Sequence, residues 1–291
     1  MIVALAVLAV PGCRPKPQAG PKIDPALATM VPETAVGLAG VKIEAVRATE
    51  VYKRFAGGLD LSEFSRTTGL DLKTDVWELL FVYEPPGWVV MARGKFSPGF
   101  GGLEPRVLEG APRTPYKGHT IIGDAQASVV FVNSSTAIAG EGGAVRGILD
   151  RRSQSRGIPP ALDEQVRAIP PGSQIWIVAP PGLAGLPIPR EGNWANLHRL
   201  GDSLEALWLA ADLRNGVELS ASGSCASEKD AGKLHDTLRG ILGLGRLSAP
   251  SDRADLLRLY DSIQIDRRQR EVRLGAVVPL DLVEKLIPMI R

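Results

Sequence analysis

The sequence predicts an α+β protein, with mainly antiparallel sheets that carry helices on one face and two duplicated halves. Three observations predict it. Strand-like runs come in pairs around turn residues, amphipathic helical stripes fall between the pairs, and the same order recurs in the second half of the chain. Strands joined as hairpins, with helices segregated from them, imply antiparallel sheets covered on one side.

Residues 35–43 read as the first strand. Ala45, Ala48, Tyr52 and Phe55 follow at three- and four-residue spacing, one stripe of a helix. A second short helix carries Leu61 and Phe64 and closes at Gly69. Runs 76–83 and 88–96 flank Pro85-Pro86-Gly87, a hairpin signal. Runs 128–132 and 136–139 pair around Asn133-Ser134-Ser135, and Gly140-Glu141-Gly142-Gly143 then leads into a helix with Val145, Ile148 and Leu149 on its apolar side. Leu162, Val166 and Ile169 mark another helix between two Pro-Pro pairs.

The second half begins with a strand at 174–179 and a helical stripe of Leu197, Leu200 and Leu204. Runs 207–213 and 217–222 flank Asn215-Gly216, a pair suited to a two-residue type I′ turn. A longer helix, 227–247, opens with a capping-box-like Ser227 and Asp230 and turns Leu234, Leu238, Ile241 and Leu242 inward. Runs 263–266 and 271–278 pair last, before a closing helix with Val283, Leu286 and Ile287. Setting Gly87 against Gly216 superposes the two hairpins at an offset of 129 residues. The expected units are 33–158 and 159–291.

Composition narrows the function classes. Gly (32) and Pro (23) among 291 residues are enough for many turns but fall short of a low-complexity chain. The net charge of +2 comes from 34 basic and 32 acidic residues spread along the chain, which does not suit a nucleic-acid binder. Arg267, Arg268 and Arg270 are the densest basic cluster and read as a solvated hairpin tip. Two cysteines, Cys13 and Cys225, make no disulfide framework, so the body is held by packing.

The amino terminus carries the clearest address. Residues 2–10 (IVALAVLAV) form an apolar run too short to span a bilayer yet matching the core of a secretory signal. Val10-Pro11-Gly12-Cys13 follows at once. A small residue before a cysteine at the end of such a run resembles the lipobox of bacterial lipoproteins. That resemblance implies cleavage before Cys13, with residues 1–12 as signal peptide, and acylation of the Cys13 sulfur. The partner it implies is membrane lipid, with the body in the periplasm or outside the cell. The basic region that opens such signals is expected upstream of Met1. From Arg14 to Pro32 five prolines in nineteen residues read as a semi-rigid tether spanning 13–32. The other readings of the start are plain secretion and a cytoplasmic protein with an apolar first strand.

Three further stretches carry a resemblance: residues 31–36 (VPETAV), 68–75 (TGLDLKTD) and the run from Tyr116-Lys117-Gly118 to Ala144-Val145-Arg146. They are similar to bacterial envelope proteins built from duplicated α+β modules, which implies fold and location and transfers no catalytic residue.

No catalytic constellation stands out. Gly140, Gly142 and Gly143 could cradle an anion at a helix start, but no Gly-Lys-Ser/Thr ending follows and Glu141 carries the wrong charge. A tight strand-to-helix turn is the simpler reading. Cys225 precedes a helix start and has no local histidine partner, His235 lying two turns further on. His119, His198 and His235 are scattered, so no metal and no cofactor is expected. Trp77, Trp176 and Trp208 fall in strand runs and are expected in the core, whereas Trp194, in a Pro/Gly-rich loop, is the best recognition candidate. The expectation is a lipid-anchored envelope protein with a non-catalytic binding or structural body and an envelope protein or ligand as partner. The alternative is an envelope enzyme with a site assembled from dispersed residues.

Overall fold

The structure, a computed structural model, describes residues 20–55, 71, 73–96, 110–154, 156–183, 186, 201 and 203–286. Twelve strands among them form a single sheet in which every neighbouring pair is antiparallel. In the first half these are β1 (Gly37–Val41), β2 (Val76–Glu84), β3 (Gly87–Gly94), β4 (Arg113–Tyr116), β5 (His119–Gly123), β6 (Ser128–Asn133) and β7 (Thr136–Gly140). The second half supplies β8 (Ile175–Ala179), β9 (Leu204–Asp212), β10 (Val217–Cys225), β11 (Ile263–Arg268) and β12 (Glu271–Val278). Their order across the sheet is β11-β12-β10-β9-β8-β1-β2-β3-β7-β6-β5-β4. The α+β, antiparallel class read from the hairpins is therefore the class observed.

Each half starts at the centre of the sheet and grows outward. β1 and β8 are neighbours, with Gly40 opposite Trp176 and Leu38 opposite Val178. From β1 the order runs β2, β3, β7, β6, and from β8 it runs β9, β10, β12, β11. The first half then adds the β4–β5 hairpin at its edge. Pro115 sits in that edge strand, where a residue without an N–H removes no ladder bond and discourages further pairing. The opposite edge, β11, is exposed and charged at Asp266, Arg267 and Arg268.

Eight helices pack around this sheet among the described residues: α1 (Pro25–Ala28), α2 (Ile43–Arg47), α3 (Glu50–Phe55), α4 (Gly142–Arg151), α5 (Pro160–Ala168), α6 (Glu228–Ser248), α7 (Ala254–Asp261) and α8 (Leu280–Leu286). They divide between the two faces, where the sequence suggested one. α1, α4 and α5 cover the face bearing Leu38, Leu80, Val82, Met91, Ile138 and Trp176, which is the main core. α6 lies on the other face, over Val272, Ile265 and Cys225, and α8 packs beside it on Val278. Residues alternate sides along a strand, so consecutive apolar residues in β2 (Leu79 and Leu80) feed both layers.

The segment Gly20–Val31 belongs to the body, although the sequence suggested a spacer as far as Pro32. Asp24 caps α1 by accepting from the Ala26 N–H at 2.8 Å, and Pro25 occupies the first helical position, where its fixed φ is preorganised. Leu27, Met30 and Val31 then insert into the main core. Gly20 lies against the end of α5, where an added Cβ would sit 1.9 Å from the Val166 carbonyl oxygen. Proline-rich sequence is extended but can still dock when apolar residues are spaced to face one side.

Local chemistry also redraws three elements. The stripe through Ala45 to Phe55 breaks into α2 and α3 because the Thr49 hydroxyl accepts from the Tyr52 N–H at 3.1 Å and starts a new helix. The β9–β10 connection spans residues 213–216. Only Gly216 in it has positive φ (+102°), so it is not the two-residue type I′ turn expected at Asn215-Gly216. In α6, Leu234 is buried while Ile241 is 56% exposed, because only the first turns lie on the sheet. The last turns meet α7 through the Arg246–Asp261 ion pair.

Candidate functional site

Of the residues singled out from sequence, Cys13 and Trp194 lie outside the described residues. Gly140 ends β7, and Gly142 and Gly143 open α4. The Gly142 N–H donates to the Ala125 carbonyl at 3.0 Å, and a Cβ there would come within 2.7 Å of the Asp124 carbonyl oxygen. The glycine loop thus closes on the β5–β6 turn, and a protein carbonyl occupies the first helix donor. Cys225 is fully buried beneath α6 beside Ala231 and Val272. Burial, with smaller contributions from Asp230 and Glu205, pushes its thiol pKa up, the opposite of what a thiolate nucleophile needs. His235 rests against its neighbour Asp236 at 2.9 Å. Among the described residues no group of three or more His, Cys, Asp or Glu side chains could hold a metal ion. None of the described helices is long and apolar enough to cross a membrane.

The most concentrated polar chemistry lies where β1, β2 and β3 meet α1 and α2. Glu78 points from β2 into the main-core side and is only 7% exposed. One of its oxygens accepts from Lys42 Nζ at 2.5 Å, the other from the Asp24 N–H at 3.1 Å. Directly opposite on β3, Arg93 donates from Nε to Asp24 at 3.0 Å. One terminal nitrogen of Arg93 donates to the Ser135 carbonyl, the Ser135 hydroxyl and the Thr136 hydroxyl at 2.6 to 2.8 Å. Charges this poorly hydrated are tolerable only when each is paired and hydrogen-bonded, as here.

Beside this cluster opens a cavity of about 450 Å³, lined by Asp24, Lys42, Glu44, Ala45, Ala48, Trp77, Glu78 and Arg93. Trp77 was expected in the core. A register irregularity between Val76 and Glu78 turns it out instead, and it is 40% exposed. Sequence reasoning missed this site. The available signal was a charged residue, Glu78, inside the otherwise apolar run of β2.

A broader groove of about 730 Å³ runs between the end of α5 and the uncovered face of β10, β12 and β11. Glu164 and Arg167 form one wall and Trp208, Ser220, Gln264, Asp266, Glu271 and Arg273 the other. The Arg273 guanidinium, 2.8 Å from Glu271, holds that carboxyl below its usual range, helped by the Ser222 hydroxyl and opposed by burial. A carboxylate held ionised by a fixed cation suits recognition better than proton transfer.

No protein-family profile matches the chain, and no curated protein sequence matches it. Solved structures do. Two crystal forms of TP0453, a Treponema protein, superpose with a TM-score of 0.52 at 11% identity. The match covers 91% of this chain and 98% or 97% of theirs. The chain has the TP0453 fold. At that identity the likeness concerns fold alone.

Proposed function

We propose that this chain is a lipoprotein of the bacterial cell envelope, held at a membrane through acylated Cys13, with a body that binds rather than catalyses. The observation that carries the reading joins sequence to structure. Cys13 of the lipobox-like Gly12-Cys13 stands seven residues before Gly20, which is already buried against the body. Those residues can reach at most roughly 25 Å when fully extended, a short leash that keeps the body near the bilayer surface. Two or three acyl chains suffice for stable anchoring without a spanning helix. The paired charges beside the Trp77 cavity and along the groove support a preorganised binding surface.

We also read residues 33–158 and 159–291 as two copies of one unit, supported by the matching outward strand order from β1 and from β8. The deciding experiment for the anchor is mass spectrometry of the protein isolated from its own membranes. Diacylglyceryl modification of a Cys13 amino terminus is expected, with loss of membrane association in Cys13→Ala. An unmodified Cys13 still preceded by residues 1–12 sinks the reading.

A further inference from the structure

The cavity beside Trp77 has an unbalanced rim. Of its charged lining, Lys42 is consumed by Glu78 and Arg93 by Asp24, Ser135 and Thr136. Glu44, on the first turn of α2, is exposed and has no ion-pair partner among the described residues. Two cations against three carboxylates leave the lining one negative charge in excess. Trp77 completes the rim. Its neighbours Val76 and Glu78 are both buried, while the indole stands out of the strand into the cavity lining. Ala45 and Ala48 form a low wall, and larger side chains at those positions would narrow the opening.

We propose that this cavity is a binding site for a small organic cation, a substituted ammonium ion. Tryptophan offers the most favourable aromatic face for a desolvated cation, and a nearby carboxylate supplies the countercharge. The cavity, about 450 Å³, admits such a group with room to spare. An anion is disfavoured because both cations of the cluster already have their acceptors, and an added anion would compete with Glu78 and Asp24. The inner cluster fixes the wall, and the rim pair Trp77 and Glu44 contacts the ligand.

The test uses the full chain with tetramethylammonium chloride as the probe, read by relaxation of its methyl protons at constant ionic strength. Saturable one-to-one binding is expected, weakened about tenfold or more by Trp77→Ala and by Glu44→Gln and largely retained in Trp77→Phe. Ala45→Leu should weaken it by narrowing the space beside Trp77. Glu44 is exposed, so Glu44→Gln is expected to keep the native melting temperature, which separates loss of binding from loss of fold. Absence of saturation, or saturation indifferent to both rim variants, overturns the proposal. So does equal competition by magnesium chloride, which would indicate a plain cation site, or binding of acetate that depends on Lys42. None of these outcomes depends on the state of Cys13.

Discussion

Replacing Leu27 by alanine tests whether the amino-terminal segment is part of the cooperative body. Leu27 is 0% exposed and sits in the main core with Met30 and Val31. Large-to-small changes at such sites cost about 2–5 kcal/mol, the spread reflecting how far the surroundings can collapse. Leu27 lies on a four-residue helix held largely by its own cap and core contacts, so some relaxation is available and about 3 kcal/mol is the expected loss. For a body of this size each kcal/mol moves the melting temperature by roughly 2–4 °C, giving a fall of about 6–12 °C. Calorimetry of Leu27→Ala alongside Lys22→Ala, an exposed position on the same segment, provides the comparison. The lysine variant should lie within about 0.5 kcal/mol of the parent. If Leu27→Ala also melts within a degree of the parent, the segment is not part of the cooperative unit, and the assignment of Gly20–Val31 to the core is refuted.

Three other outcomes follow from specific contacts. Gly40→Ala places a Cβ about 2.3 Å from the Trp176 ring at the central β1–β8 pair, so overpacking of about 1–3 kcal/mol should lower the urea midpoint and shift tryptophan emission. Cys225 should react with a thiol reagent at neutral pH only as fast as the body opens, in contrast to the urea-unfolded chain. Its folded pKa is raised, so its contribution to stability is complete below the unfolded value near 8.5 and declines as pH rises further. Glu271 has the opposite sign. Its folded pKa is lowered by Arg273, so the stabilisation is present above the unfolded value of about 4.3 and disappears as pH falls through the lower folded value. Urea titrations from pH 6 to 3 should show a shallower acid loss in Glu271→Gln, and an unchanged slope would contradict the pairing.

Much of the fold was legible because the dominant signals were local. The β2–β3 hairpin follows from two apolar runs around Pro85-Pro86-Gly87, and α4 from Val145, Ile148 and Leu149, all three of which are buried. The Ser227 cap was equally readable, since its hydroxyl accepts from the Asp230 N–H at 3.1 Å. The sequence was silent where tertiary context decides. Pro115 hid the β4 strand, because only at a sheet edge can a strand carry proline without losing a ladder bond. Trp77 sits within a strand run like Trp176, yet a register irregularity sends it outward while Trp176 packs at 3% exposure. The main candidate site joins residues 24, 42, 44, 77, 78 and 93 only because β1, β2 and β3 are neighbours and two helices close over their ends. Spacing along the chain contains no such information.

The division between inner cluster and rim also determines which substitutions can report on binding. Removing one member of a poorly hydrated ion pair strands its partner, at a cost of about 3–5 kcal/mol when the pair is buried. Lys42→Ala would leave Glu78, with 9% side-chain exposure, without its cation, and Arg93→Ala would release Asp24, Ser135 and Thr136 together. Because Asp24 also caps α1, damage there spreads into the segment that carries Leu27. A loss of ligand binding in these variants would therefore confound fold with site. Glu44 and Trp77 have no such obligations among the described residues: one is an exposed carboxylate on a short helix, the other an indole turned out of its strand. The same geometry that makes the rim dispensable for stability makes it the place where a ligand would act.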